Sequence, residues 1–167
     1  VNGSWTQIGN DIGGTGAFDS FGQSISLSSD GNTVAVGAPY TDGTGGIAGQ
    51  VRIYNWTGTS WIQVGTDIDG EAANDISGSS ISLNSDGSRV AIGARLNDGN
   101  GTYSGHVRIY SWSGTSWTQV GADIDGESAD DRSGFSVSLS NDGNTVAIGA
   151  SRNNGSGVMS GHVRVYI

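Results

Sequence analysis

The chain contains no cysteine, which removes both a disulfide framework and a thiolate metal site. Only one proline stands among 167 residues. Basic residues are scarce as well: 7 Lys and Arg face 16 Asp and Glu, for a formal net charge of -9. A surface of that sign repels a phosphate backbone, so no nucleic-acid partner is expected. No apolar run approaches the roughly 20 residues that a membrane-spanning helix needs. No basic, apolar, small-residue leader opens the chain, and a soluble piece without membrane insertion is the expectation. Helical spacing of apolar residues is missing too, since aliphatics come in pairs separated by Ser, Ala or Gly, as in strands. What abounds is glycine, with 30 residues, and so many glycines imply frequent turns and closely packed backbones.

The glycines fall into a repeat. Trp5, Trp61 and Trp117 are spaced by 56 residues, as are Gly22, Gly78 and Gly134, and Tyr54, Tyr110 and Tyr166. Nothing is inserted or deleted between them, so the units share one backbone. Within a unit four strands are predicted: A at Ser80–Leu83, B at Arg89–Ala94, C at His106–Trp112 and D at 117–122. Strands A and B are joined by an Asp-Gly turn, a strong hairpin signal. Four strands per period of this length point to an all-β fold of β-propeller blades, three four-stranded antiparallel blades per chain. The repeats run approximately 10–65, 66–121 and 122–167, and an N-terminal strand at 5–9 completes the last blade.

The predicted faces are unequal. Ile81, Leu83, Val90, Ile92, Val107 and Ile109 are expected on one and Ser80, Ser82, Ala91 and Gly93 on the other, so that the bulky face of one blade enters the shallow face of its neighbour. Propellers close with about 4–8 blades, and three leave open edges. The expected partner is therefore the chain itself. A homodimer giving six blades is the first choice, a homotrimer giving nine the second, and a natural parent with extra blades the third.

The run Phe21-Gly22-Gln23-Ser24-Ile25-Ser26-Leu27, followed by Val34-Ala35-Val36-Gly37-Ala38-Pro39, resembles the FG-GAP repeat of the integrin α-subunit propeller. Repeats two and three follow it less literally, from Ser77-Gly78 to Gly93-Ala94-Arg95 and from Ser133-Gly134 to Gly149-Ala150-Ser151. Members of that family are typically extracellular, often bind calcium in their blades and serve adhesion or ligand binding through one face, so the resemblance implies an extracellular or cell-surface interaction module. The family's metal loop, between its first two strands, is not carried over, because here that connection is Ser29-Asp30-Gly31-Asn32, short and with one carboxylate.

Antiparallel strands put the A–B and C–D turns on one side and the long B–C and D–A loops on the other, where binding is expected. The D–A loop offers Asp67, Asp69, Glu71 and Asp75, recurring as Asp123, Asp125, Glu127 and Asp131. Alternating carboxylates suit a hard cation, and calcium takes about six to eight oxygen ligands. Repeat one keeps Asp11 and Asp19 but has Gly13 and Thr15 at the other positions, so calcium would be weak there. The alternative is a solvated loop whose aspartates cap turns and pair with arginine. In the B–C loop, Asp42, Asp98 and Tyr103 are candidate ligand contacts, against plain turn chemistry.

Arg52, Arg108 and Arg164, with Gln50, His106 and His162 two residues earlier, read as paired packing groups. Trp56 with Trp61 and Trp112 with Trp117 face across the C–D hairpin as stabilising pairs, or as stacking platforms for sugar rings. Sequons at Asn2, Asn55, Asn100 and Asn154 lean towards a secreted setting. No nucleophile with a base, metal triad or cofactor loop is evident, so a non-catalytic binding or scaffold module is expected. Its candidate ligands are a protein or a glycan; a purely structural or engineered fragment is the other reading.

Overall fold

The computed structural model describes residues 3–43 and 45–167. The Asn2 sequon and Thr44 of the first B–C loop lie outside the described residues. Among those described there is no helix, and the strands form three antiparallel sheets. The first holds β1 (Ser24–Leu27), β2 (Thr33–Ala38), β3 (Gln50–Trp56), β4 (Trp61–Gln63) and β5 (Ile68–Asp69). The second repeats it with β6 (Ser80–Leu83), β7 (Arg89–Ala94), β8 (His106–Trp112), β9 (Trp117–Gln119) and β10 (Ile124–Asp125). The third has three strands, β11 (Ser133–Leu139), β12 (Val146–Ala150) and β13 (His162–Tyr166).

Strands A, B and C of the middle repeat occupy the predicted residues. Strand D does not, because it ends at Gln119 and the chain breaks off. Ile124 and Asp125 then return to pair with Val107 and His106 as β10. Residues 4–8 carry no assigned strand, yet they keep the contacts of a D segment. Trp61 Nε1 donates to the Ile8 carbonyl at 3.3 Å, as Trp117 Nε1 does to that of Val64 at 2.9 Å.

Ladder register corrects the predicted faces. Gly93 lies opposite Val107 and Ala91 opposite Ile109, whereas Ile92 lies opposite Arg108 and Val90 opposite Tyr110. Cross-strand partners share a face, so Val107 and Ile109 belong with the small residues, and Arg108 and Tyr110 join the bulky face. Large still meets small between sheets. Ile81, Leu83, Val90 and Ile92 of the second sheet pack on Ala35, Val51 and Ile53 of the first, and Leu139, Val146 and Ile148 of the third pack on Ala91 and Val107 of the second.

The sheets also bond through their A strands. Ser24 Oγ donates to the Gly78 carbonyl at 2.6 Å and Ser80 Oγ to that of Gly134 at 2.7 Å. This approach needs glycine in strand B, since a Cβ on Gly93 would collide with the Gly134 carbonyl and Ser80 Oγ. Three non-glycine residues in register, Ile47, Tyr103 and Met159, have φ of 58°, 56° and 52°. One left-handed backbone, unfavourable for side-chain-bearing residues, is thus copied through all three B–C loops.

Candidate functional site

The B–C and D–A loops interlock on one side. Asp75 and Asp131 are buried there, and each closes a loop: Asp75 Oδ2 accepts from Ala72 N at 3.1 Å and Asn97 Nδ2 at 3.0 Å. Asp131 repeats this with Ser128 N and Asn153 Nδ2. Their carboxylates serve loop closure. Asp42 and Asp98 brace the B–C loops from within, accepting from Ile47 N at 3.1 Å and Tyr103 N at 2.7 Å. Tyr103 is 40% exposed. The Asn100 amide donates to the Gly126 and Glu127 carbonyls at 2.9 and 3.1 Å, and a glycan on this sequon would have to take the place of one of these donors.

The arginines organise the rest. Arg52 Nε donates to Asp67 Oδ2 at 3.2 Å, and its Nη2 to Thr15 Oγ1 at 2.8 Å. Arg108 Nη2 donates to the Asp69 carbonyl at 2.9 Å, and its Nη1 pairs with Glu71 Oε1 at 3.3 Å. Arg164 does the same to the Asp125 carbonyl at 2.6 Å and Glu127 Oε1 at 3.5 Å. Arg108 and Arg164 each tie strand C to the D–A loop that enters their own sheet, whereas Arg52 holds Thr15 of the entering loop and Asp67 of the loop that leaves, the paired role their sequence position predicts.

Within each predicted set of four the carboxylates are drawn to different partners: Asp67 to Arg52, Glu71 and Glu127 to Arg108 and Arg164, and Asp75 and Asp131 into loop closure. Among the described residues, the group that brings ligating atoms together is Glu71, His106 and Asp123, whose donor atoms all lie within 4.8 Å of one another. His106 is 1% exposed, and its Nδ1 lies 3.9 Å from Glu71 Oε2 and 3.8 Å from Asp123 Oδ2. Among the described residues neither ring nitrogen has a hydrogen-bond partner. Burial and then Arg108 push the imidazole pKa down, opposed by Asp123, Asp75 and Asp125. Burial holds the Glu71 carboxyl above its ordinary range against Arg108, and Asp123 adds to the rise.

By sequence position His106 reads as a packing group. The signal that could have found it is its register with Gln50, since an imidazole replaces an amide at a position facing two acidic loops. Gln50, with its amide oriented to satisfy its neighbours, donates to Asp67 Oδ2 at 3.2 Å.

The tryptophans pair as predicted, Trp56 with Trp61 at 5.3 Å between ring centroids and Trp112 with Trp117 at 5.4 Å. The Asp30 carboxylate of the first A–B turn accepts from Ser28 Oγ at 2.7 Å and Asn32 N at 2.9 Å, as a hairpin-turn aspartate does.

No curated protein matches the chain. Among solved structures it is similar to a protein assigned as a 6-phosphogluconolactonase from Bacteroides fragilis. The TM-score is 0.53 at 16% identity, over 78% of this chain and 32% of that one. It also matches a hydrazine synthase of Kuenenia stuttgartiensis with a TM-score of 0.48 at 14% identity, over 84% of this chain and 36% of that one. The chain thus spans about a third of each. At such identity the first likeness shows the fold alone, a propeller-like one. Residues 13–54, which contain the Phe21-Gly22 and Gly37-Ala38-Pro39 signatures, match the FG-GAP repeat, so that segment is similar to an FG-GAP repeat within a chain of propeller-like fold.

Proposed function

We propose that the chain is a non-catalytic extracellular or cell-surface interaction module, a three-bladed segment whose ring is completed by a second copy. The observation that carries this reading is the complementarity of its two open faces. Ile25 and Leu27 are 69% and 59% exposed, whereas Ile81 and Leu83, in register with them, are 8% and 7% exposed. Val163 and Val165 are 68% and 64% exposed, whereas Val107 is fully buried. The bulky face that the second and third sheets press onto their predecessors is bare on the first, and the receiving face is bare on the third. Apolar patches of this kind mark interaction surfaces.

The polar pattern agrees. Ser136 and Ser138 hold the positions of Ser80 and Ser82, whose hydroxyls bond Gly134 and Leu139 of the next sheet. Trp5-Thr6-Gln7 has the sequence of Trp117-Thr118-Gln119, which contains β9 and pairs with β8. The outer edge of β13 is the matching site for Trp5–Gln7 of the second copy. Two copies give a six-bladed ring through two head-to-tail contacts.

The acidic B–C and D–A loops of such a ring form the side that meets a partner protein, with calcium as a candidate ion at the outer carboxylates Asp67, Asp69, Asp125 and Glu127. Non-catalytic character is supported by the recurrence of the same polar groups in each repeat. Multi-angle light scattering tests the reading: twice the chain mass is expected, and a stable monomer overturns the ring. Calorimetry without heat on calcium addition removes the calcium dependence.

A further inference from the structure

We propose that Glu71, His106 and Asp123 form a binding site for a first-row divalent transition ion, with zinc as its probe. Each side chain comes from a different segment: Glu71 from the loop entering the second sheet, His106 from the start of β8, and Asp123 from the loop leaving that sheet. Their donor atoms lie within 4.8 Å of one another. Tetrahedral zinc with bonds of about 2.0–2.2 Å sets its donors roughly 3.3–3.6 Å apart. The 3.8 and 3.9 Å separations from His106 Nδ1 thus need only a few tenths of an ångström of contraction.

The imidazole is the second, independent observation. His106 is 1% exposed and has no hydrogen-bond partner at either nitrogen among the described residues, and a buried polar group left so costs stability. A metal bond at Nδ1 satisfies that nitrogen. An imidazole with two carboxylates selects against calcium, which prefers oxygen alone, and suits zinc or its neighbours.

The surrounding residues leave one oxygen of each carboxylate for the ion. Gln119 Nε2 donates to Asp123 Oδ1 at 2.6 Å, so that Oδ2 faces His106. Arg108 Nη1 engages Glu71 Oε1 at 3.3 Å, so that Oε2 faces His106. Such outer contacts orient metal ligands. The bound ion would clamp both loops to β8. In the first repeat Thr15 and Gln50 replace the Glu and His, and Arg52 fills the place. In the third, Glu127 and His162 approach to 3.7 Å as half of the same arrangement.

The site lies within one chain and does not depend on the ring. Its test uses the untagged H162Q chain, which removes the half-arrangement. Titration calorimetry should show one equivalent of zinc and a rise in melting temperature. H106Q/H162Q should bind none, while melting in the absence of zinc as H162Q does. Glutamine is compatible with this position, because Gln50 occupies it in the first repeat. E71T, which copies Thr15 of the first repeat, should weaken binding at least tenfold. Absence of zinc uptake by H162Q, or equal uptake by H106Q/H162Q, overturns the proposal.

Discussion

The Leu83 amide donates to Ser26 Oγ at 2.9 Å, and 56 residues later the Leu139 amide donates to Ser82 Oγ at the same distance. Each serine lies on the shallow face of one sheet and each leucine on the A strand of the next, so a single side-chain hydroxyl sets the register between sheets. Removing Ser82 Oγ leaves the Leu139 N–H without a partner in a largely dry interface. S82A should lose about 1 kcal/mol, read as a lower urea midpoint at unchanged slope.

The glycines of strand B separate packing within the chain from assembly. G93A drives a methyl into the Gly134 carbonyl, which is fixed backbone, and should destabilise by about 1–3 kcal/mol. G149A meets only the Ser136 hydroxyl at close range, a group that can rotate away. Its effect on chain stability should be smaller by at least half, yet it should weaken the ring, because the position faces the second copy. Chemical denaturation and light scattering on both variants check the contrast.

A charge on the bare face should act on assembly alone. I25D changes a residue that is 69% exposed in the single chain, so the monomer fold should move by less than about 0.5 kcal/mol. The ring should dissociate, because burying an unpaired carboxylate is prohibitive. I81D, at the 8% exposed counterpart, should not fold. Sedimentation velocity with far-ultraviolet circular dichroism distinguishes the two.

Acid should loosen the A–B turns. Asp30, Asp86 and Asp142 have carboxyls held below the ordinary value of 3.8, first by the hydroxyls of Ser28, Ser88 and Ser140 and then by turn backbone amides. A depressed folded pKa gives stability that is present above the unfolded value and lost as pH falls through the folded one. The contribution should therefore be complete at pH 5 and decline below about pH 4. D30N/D86N/D142N should show a shallower loss between roughly pH 4 and 2 than the parent chain, measured by urea midpoints across that range.

The middle repeat shows how much was legible. Strands at Ser80–Leu83, Arg89–Ala94 and His106–Trp112 were readable because alternation and Asp-Gly turns are local signals. The arginine pairs were readable too, since Arg52, Arg108 and Arg164 recur beside acidic loops. The faces of Val107 and Ile109 were not, because side-chain size alone does not assign a face. Parity in β8 depends on its register with β7, and an eleven-residue B–C loop at 95–105 leaves that register open. The end of strand D was hidden for a similar reason, since the return of Ile124 to Val107 is a pairing outside the hairpin.

The sequence alone determined the repeat, the all-β class and the alternation of shallow and bulky strand faces, because each follows from period, turn residues and spacing along the chain. Only the tertiary structure decided which carboxylates meet. Asp75 and Asp131 vanish into loop closure, while Glu71 and Asp123, 52 positions apart, flank an imidazole that belongs to neither loop. That meeting depends on how sheets stack and where an irregular loop returns, and distance along a chain does not encode either.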